Sequence, residues 1–339
     1  MMASRMWRGS LRRSGASGLL ALIQGLVREY CDVCTPRSLQ FAARFSSVAA
    51  HSPGRKSLVP DSIASPQDTR ETAKCQKIKA SAASAEATRS KATFGRLYKK
   101  VDVQRDPNLS GERLGDPDLS RPFTVQLDGY VLRTPAKKPL HFKTEALALA
   151  VAAEWEMQQG RAVLPFTMPL MKLVSTAVDQ MPRDRLRVIE SLLEFFHTDA
   201  LCCRAPELSR LAERQAELGD PLLAWIEREF GFRPSKFHNL FWVEQPPAAV
   251  EAMRKVLLDM DLWELTAVDS LAGAARSLII ALAVSHNRLS VSSAVKLARL
   301  EEDFQVEEWG FVEGGHDLDL ADMKVRITAP SIFLRLLRA

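Results

Sequence analysis

The chain of 339 residues lacks the short signatures of the commonest enzyme chemistries. It has no GxxxxGK(S/T) loop and no GxGxxG turn after a strand, so no phosphate cradle or dinucleotide fingerprint is visible. HExxH and GxSxG are absent too, and the six histidines are scattered, so spacing defines no Ser/His/Asp set. Cysteine is scarce, at five residues, too few and too irregular for a disulfide framework. Cys31 and Cys34 form a C-x-x-C in the basic N-terminal segment, and Cys75 sits in a polar tract. Cys202 and Cys203 are adjacent, and neighbours rarely pair in a relaxed backbone, so both read as reduced, structural thiols. A long uninterrupted apolar run is also missing. The most apolar stretch, SLAGAARSLIIALAVSH, carries Arg276 in its middle, which favours a central bundle helix over a membrane span.

Acids are nearly missing from the first 100 residues, which hold 18 Lys/Arg against 6 Asp/Glu, a balance of +12. The remainder holds 28 against 35, a balance of −7. The basic character of the whole chain therefore belongs to its N-terminal part, and the acidic remainder argues against nucleic acid as a partner. Arg5, Arg8, Arg12 and Arg13 precede any acid, and an interrupted apolar run from Leu19 to Val27 follows. This basic, Ser-rich, acid-poor start is the pattern of an organelle transit peptide, and Arg44 before Phe45–Ser46 resembles a matrix-processing site. Residues 1–45 are thus expected to be a mitochondrial presequence and the destination the mitochondrial matrix.

Residues 46–93 are rich in Ser, Ala, Lys and Thr and are expected to form a disordered linker, because so little apolar surface cannot offset ordering entropy. From there on, 46% hydrophobic and 26% charged residues overall are ordinary for a globular protein. FTVQLDGYVLRTP alternates apolar and polar residues about Asp128–Gly129, which predicts a tight hairpin. KPLHF reads as a further short strand. KTEALALAVAAEWEMQQG reads as a helix capped by Thr144 and ended by Gly160, with Leu147, Val151 and Trp155 on one face for packing.

From Pro182 the pattern is helical. RDRLRVIESLLEFF aligns Leu186, Ile189, Leu193 and Phe196. In GDPLLAWIEREFG, Asp220 reads as a cap, Pro221 as the first helical residue and Gly231 as the stop. PPAAVEAMRKVLLDM carries Val250, Met253, Leu257 and Met260 on one face. A helix over 290–309 is capped by Ser290, and a last one starts after Asp317 and is broken by Pro330. The expected fold class is α+β: a small N-terminal β-rich α/β domain over 94–180, then an all-helical domain over 181–339.

Two features invite a functional reading. On a helical wheel Glu301 and Glu308 fall inside the apolar stripe of Leu297, Leu300 and Phe304. A carboxylate in such a stripe is costly unless paired. It can pair with Arg276 or Arg299, sit at the wet edge of the stripe, or meet a basic residue on a partner. Downstream, Glu313, His316, Asp317 and Asp319 have loose metal-ligand spacing, although Asp317 after Gly314–Gly315 also reads as a plain helix cap. A metal-dependent matrix enzyme using Glu313, His316 and Asp317 is the alternative that this cluster supports.

FTVQLDGYVLRTPAKKPL, EALALAVAAEWEMQQ, FTMPLMKLVSTAVDQ, Thr198–Asp199, Cys203–Arg204, DPLLAWIEREFG and RLEEDFQVEEWG occur in this order. Together, from about 94 to 330, they resemble the mitochondrial F1-ATPase assembly factor 2 family, chaperones of the ATP synthase F1 α subunit. The resemblance implies two domains, a β-rich one before a helical one. It also implies a matrix protein that binds the unassembled α subunit and promotes F1 assembly. It implies no catalysis. No cofactor, no metal and no membrane insertion are expected, and the chain is expected to be monomeric when free. The family motif and the wheel meet on the same helix. The expected partner contact is therefore Glu301, Phe304, Glu308 and Trp309, with Glu313 beside them. The chain departs from the family tendency at Ser292 and Ser293, where acids are usual.

Overall fold

The computed structural model describes residues 97–105, 122–158, 163–206, 208–238 and 243–339. The presequence and linker expected over 1–93 lie outside these residues, as do Cys31, Cys34, Cys75 and Gly160. Three antiparallel strands, β1 (Val101–Arg105), β2 (Phe123–Leu127) and β3 (Tyr130–Val131), form a sheet in the order β1-β2-β3. β1 and β2 pair from Val101 opposite Leu127 to Arg105 opposite Phe123. The Asp128–Gly129 turn joins β2 to β3 as its sequence predicts, with φ of +49° and +88°. Both angles lie where aspartate and glycine are tolerated and β-branched residues are not. The Asp128 carboxylate also accepts the Lys99 and Lys100 amides, at 3.0 and 2.8 Å, and so ties the turn to the start of β1.

KPLHF is not a continuous strand. It touches the sheet through isolated bridges, Arg133 to Pro139 and Phe123 to Phe142. Pro139 has no amide to give, which interrupts a ladder at that point.

α1 (Glu145–Glu156) starts at the predicted cap, Thr144, whose hydroxyl accepts the Leu147 amide at 3.3 Å. Its buried surface is wider than the predicted face, because Ala146, Ala148, Ala150 and Ala152 are buried beside Leu147 and Val151. Trp155 is half-buried against the core, edge-on to Tyr98.

A helix that the sequence reading does not anticipate, α2 (Pro169–Asp179), follows. Its own cap position, Met168, offers no side-chain acceptor. Glu154 on α1 caps it instead, with its two carboxylate oxygens accepting the Leu170 and Met171 amides, each at 2.8 Å. This carboxylate is only 3% exposed, and the two orphan donors of a helix start are what make its burial tolerable. At the other end of α2, Asp179 accepts the Thr134 hydroxyl at 2.9 Å and the Ala136 amide at 3.2 Å, which fastens the hairpin arm.

The helices beyond are α3 (Met181–His197), α4 (Arg210–Phe230), α5 (Pro247–Asp259), α6 (Leu262–Ala275), α7 (Leu278–Ser285), α8 (Val291–Ala298), α9 (Leu300–Trp309) and α10 (His316–Leu337). On α3, Ile189, Leu193 and Phe196 are buried as expected, but Leu186 is 68% exposed and Leu192 takes a place in the core. On α5, Met253 and Leu257 are buried and Val250 is half-buried, and Met260, just past the helix end, is buried too.

The cap predicted at Asp220 is incorrect. α4 runs unbroken through Asp220 and Pro221 from its cap at Ser209 and ends at Gly231. Asp220 serves a tertiary role, taking the nearly buried Arg204 guanidinium at 2.9 Å and the Lys236 ammonium at 2.7 Å. Arg204 in turn lies so close to Gly219 that a Cβ there would meet its Nη2 at 3.0 Å.

The apolar stretch around Arg276 is two helices rather than one. Arg276 adopts φ +54° between α6 and α7, and Ser277 caps α7. Asp199 completes that cap from a distance. It is wholly buried, and its carboxylate accepts the Leu201 amide at 2.9 Å and the Ile279 amide at 3.1 Å. Burial pushes its pKa up to about 6, against the opposing effect of hydrogen bonds from Ser277, Ile279, Leu201 and Leu278. All eight residues of α7 are buried. Among the described residues no helix is long and apolar enough to cross a membrane.

The last helix also differs from expectation. α10 begins at His316 with Gly315 as its cap, and it passes through Pro330 without ending. It lies along α6, where Phe333 stacks on Trp263, and it reaches α1, where the Thr144 hydroxyl donates to the Leu336 carbonyl at 2.6 Å. The result is an α+β chain, mostly helical, whose buried side chains form one cluster from Phe123 to Leu336.

Candidate partner-docking surface

The helix expected over 290–309 is divided at Arg299 into α8 and α9, and this division decides where the expected contact residues point. Ser290 caps α8 as predicted, its hydroxyl accepting the Ser293 amide at 3.1 Å. Arg299 is 3% exposed and holds the start of α9, with Nη1 at 2.9 Å from Glu302 and Nε at 3.3 Å from Asp303. Arg276 adds a second contact to Glu302 at 3.3 Å. Arg276 and Arg299 are therefore the partners of Glu302, rather than of Glu301 or Glu308.

Glu301, Phe304 and Glu308 all meet α4. The Gln215 amide donates to Glu301 at 3.0 Å, the Arg214 guanidinium lies 5.6 Å above the Phe304 ring, and Arg210 stands 3.5 Å from Glu308. Glu307 joins them with Arg214 at 2.7 Å. That hydrogen bond holds the Glu307 carboxyl below its ordinary pKa and raises that of Arg214. Both carboxylates of the Glu301/Glu308 pair are exposed and no residue of α9 is buried, so α9 lies on the surface with its acids at a wet edge.

Trp309 ends α9 and is 82% exposed. Gly310, at φ +94°, turns the chain out of the helix, and Phe311, Val312 and Leu318 are each more than half exposed. Glu313, in the turn before α10, is exposed as well. From Leu300 to Met323 the chain has nine Asp/Glu and no Lys or Arg. Four large apolar side chains within ten residues, set among acids, form the kind of patch that marks an interaction site. Sequence reasoning found Trp309 in this patch but not Phe311, Val312 or Leu318. The available signal was a run of apolar residues, WGFV, that no helical or strand period explains.

The Glu313, His316, Asp317 and Asp319 cluster has another explanation. The His316 Nδ1 accepts the Val312 amide at 3.2 Å, and its ring stands edge-on to Phe311. Among the described residues no three His, Cys, Asp or Glu side chains come together as metal ligands. Asp317 lies in the first turn of α10, where its charge complements the helix dipole.

A cleft lined by Leu201, Cys203, Arg204, Gln215, Leu297 and Glu301 separates α4 from α8 and α9. Its volume of about 90 Å³ is well short of the ~300–1,000 Å³ typical of small-molecule sites. Cys202 and Cys203 are both free thiols. Burial raises the pKa of each, and the Glu301 charge raises that of Cys203 further. Neither is a thiolate nucleophile at neutral pH.

Residues 95–227 match the model of a family described as the ATP12 chaperone protein. The mitochondrial atp12 protein of Schizosaccharomyces pombe is 27% identical over 222 residues, 62% of this chain and 76% of the relative. Mitochondrial ATP12 of Saccharomyces cerevisiae is 24% identical over 289 residues, 73% of this chain and 86% of the relative. The crystal structure of Atp12 from Paracoccus denitrificans superposes with a TM-score of 0.64 at 31% identity, covering 72% of this chain and 99% of that one. The chain belongs to the ATP12 chaperone family, the family of ATP synthase assembly factors that its ordered motifs resemble.

Proposed function

We propose that this protein is a mitochondrial matrix chaperone. It binds the unassembled α subunit of the ATP synthase F1 head and keeps it soluble until the β subunit covers the same surface. An isolated subunit of an obligate complex exposes apolar area that associates wrongly, and a displaceable cover prevents this. The docking surface is α9 with the turn after it: Glu301, Phe304, Glu308, Trp309 and Glu313, joined by Phe311, Val312 and Leu318. The observation that carries this reading is the exposure of Trp309, Phe311, Val312 and Leu318 within an acidic segment free of Lys and Arg. Such a surface suits a partner patch of apolar residues rimmed by basic ones, and its modest size allows release. Residues 1–45 direct import, 46–93 link, 94–180 form the β-rich domain and 181–339 the helical domain.

Coexpression of this chain with the matching α subunit, followed by sizing of the soluble fraction, tests the reading. The expected result is soluble α subunit that co-elutes with this chain. Aggregated α subunit, with this chain eluting alone, would remove the proposal.

A further inference from the structure

α9 is joined to the rest of the molecule by two unlike connections. Its N-terminal end is tethered at a hinge, because the nearly buried Arg299 holds Glu302 and Asp303 of the same segment. Its remainder has no buried residue and rests on α4 through Arg210–Glu308, Arg214–Glu307, the Arg214–Phe304 contact and Gln215–Glu301. The first three involve side chains at the surface. Their attraction is screened by salt, unlike the packing that holds α8 and α10 in the core. At the far end, Gly310 at φ +94° and Gly314 at φ +77° place two residues of wide backbone freedom between α9 and α10. Beneath α9 lies the cleft that contains Cys203, lined on the α9 side by Leu300, Glu301 and Glu302.

We infer that α9 is a strap: the helix beyond Arg299 swings off α4 as a unit about Arg299 and Gly310, and with the Gln215–Glu301 bond broken it widens the Cys203 cleft. Arg210 and Arg214 form the clasp. In the closed state they occupy Glu307 and Glu308, so a partner presenting cations to α9 must take those carboxylates from α4. Engagement of a basic partner and opening of the strap are then one exchange of ion pairs, which gates the docking surface. This regulatory meaning rests on reading α9 as that surface, whereas the strap itself does not.

The adjacent thiols give a direct readout. Cys202 is wholly buried and reacts only when the fold opens globally, whereas Cys203 is half-buried in the cleft. The full-length chain is labelled with a maleimide and the two sites are resolved by peptide fragmentation. Sodium chloride is raised from about 0.01 M to about 1 M, over which the screening length falls from roughly 30 Å to about 3 Å. The Cys203 rate is expected to rise at least about fivefold, the order that screening several exposed ion pairs together allows, with Cys202 unchanged. The variant Arg210→Gln with Arg214→Gln should label Cys203 fast at low salt and lose the salt dependence. A Cys203 rate that responds neither to salt nor to these substitutions would overturn the strap. So would Cys202 rising in step with Cys203, since that is global unfolding. The experiment contains no partner, so a strap that opens while the α subunit fails to bind would refute the docking reading alone.

Discussion

α7 and α9 are short helices separated by α8, and they are held in opposite ways. Every residue of α7 is buried, none is charged, and its N-terminus is capped by both Ser277 and the distant Asp199. No residue of α9 is buried, five of its ten residues are acids, and its cap position offers no side-chain bond. The contrast separates two uses of sequence in one chain. Burial of apolar area defines α7 and makes it part of the scaffold. Charge pairs position α9 and leave Trp309 at its end exposed. A chaperone surface has to be of the second kind, since what is buried in its own core cannot be offered to a client.

The largest expected difference comes from equal truncations in the two helices. Leu282→Ala should lower unfolding stability by about 2–5 kcal/mol in urea, the range for a fully buried leucine. Trp309→Ala should change it by no more than about 0.5 kcal/mol and should weaken α subunit retention in the coexpression assay. Comparable destabilisation by both would end the comparison.

A smaller effect sharpens the α7 side. Asp199→Asn leaves amide donors facing a side chain with one acceptor oxygen, and should cost about 1–3 kcal/mol at neutral pH. The pH dependence has a definite sign. The Asp199 pKa is raised to about 6 in the fold from an ordinary 3.8. Between these values the native state binds a proton that the unfolded chain has released, so this group's contribution falls as pH rises from about 4 to about 6. The deficit of the Asn variant should be largest near pH 4 and shrink toward pH 6. A deficit that grows over that interval would contradict the assignment.

Smaller again is Glu154→Gln, which replaces one of the two oxygens that cap α2. A loss of about 1–2 kcal/mol is expected, measured by thermal unfolding, with no effect on α subunit binding.

The same contrast explains what was legible in the sequence. Features set by neighbours in the chain were readable: the Asp128–Gly129 turn, the Thr144 and Ser290 caps, and the buried faces of α1 and α5. Features set across the fold were not. α2 has no local start signal, because its cap is Glu154 on another helix. Asp220–Pro221 carried a strong local start signal, but Arg204 recruited Asp220 and α4 continued through the proline. Arg276 and Arg299 interrupt helices with no glycine or proline to announce it, and the break at Arg299 moved Glu301 and Glu308 out of the apolar stripe onto an exposed edge. Their α4 partners, Arg210, Arg214 and Gln215, lie far away in sequence, so a wheel drawn on one segment could not include them. Trp309 lies within the RLEEDFQVEEWG motif, whereas Phe311, Val312 and Leu318 are distinguished only by the exposure of their side chains.

The most direct test is hydrogen–deuterium exchange on this chain, alone and in its coexpressed complex with the α subunit, read peptide by peptide. The account predicts that amides from 300 to 318 exchange fast in the free chain and are protected in the complex, while α7 is slow in both. Protection elsewhere in the complex, with 300–318 unchanged, would contradict the assignment of α9 and its turn as the surface that grips the client.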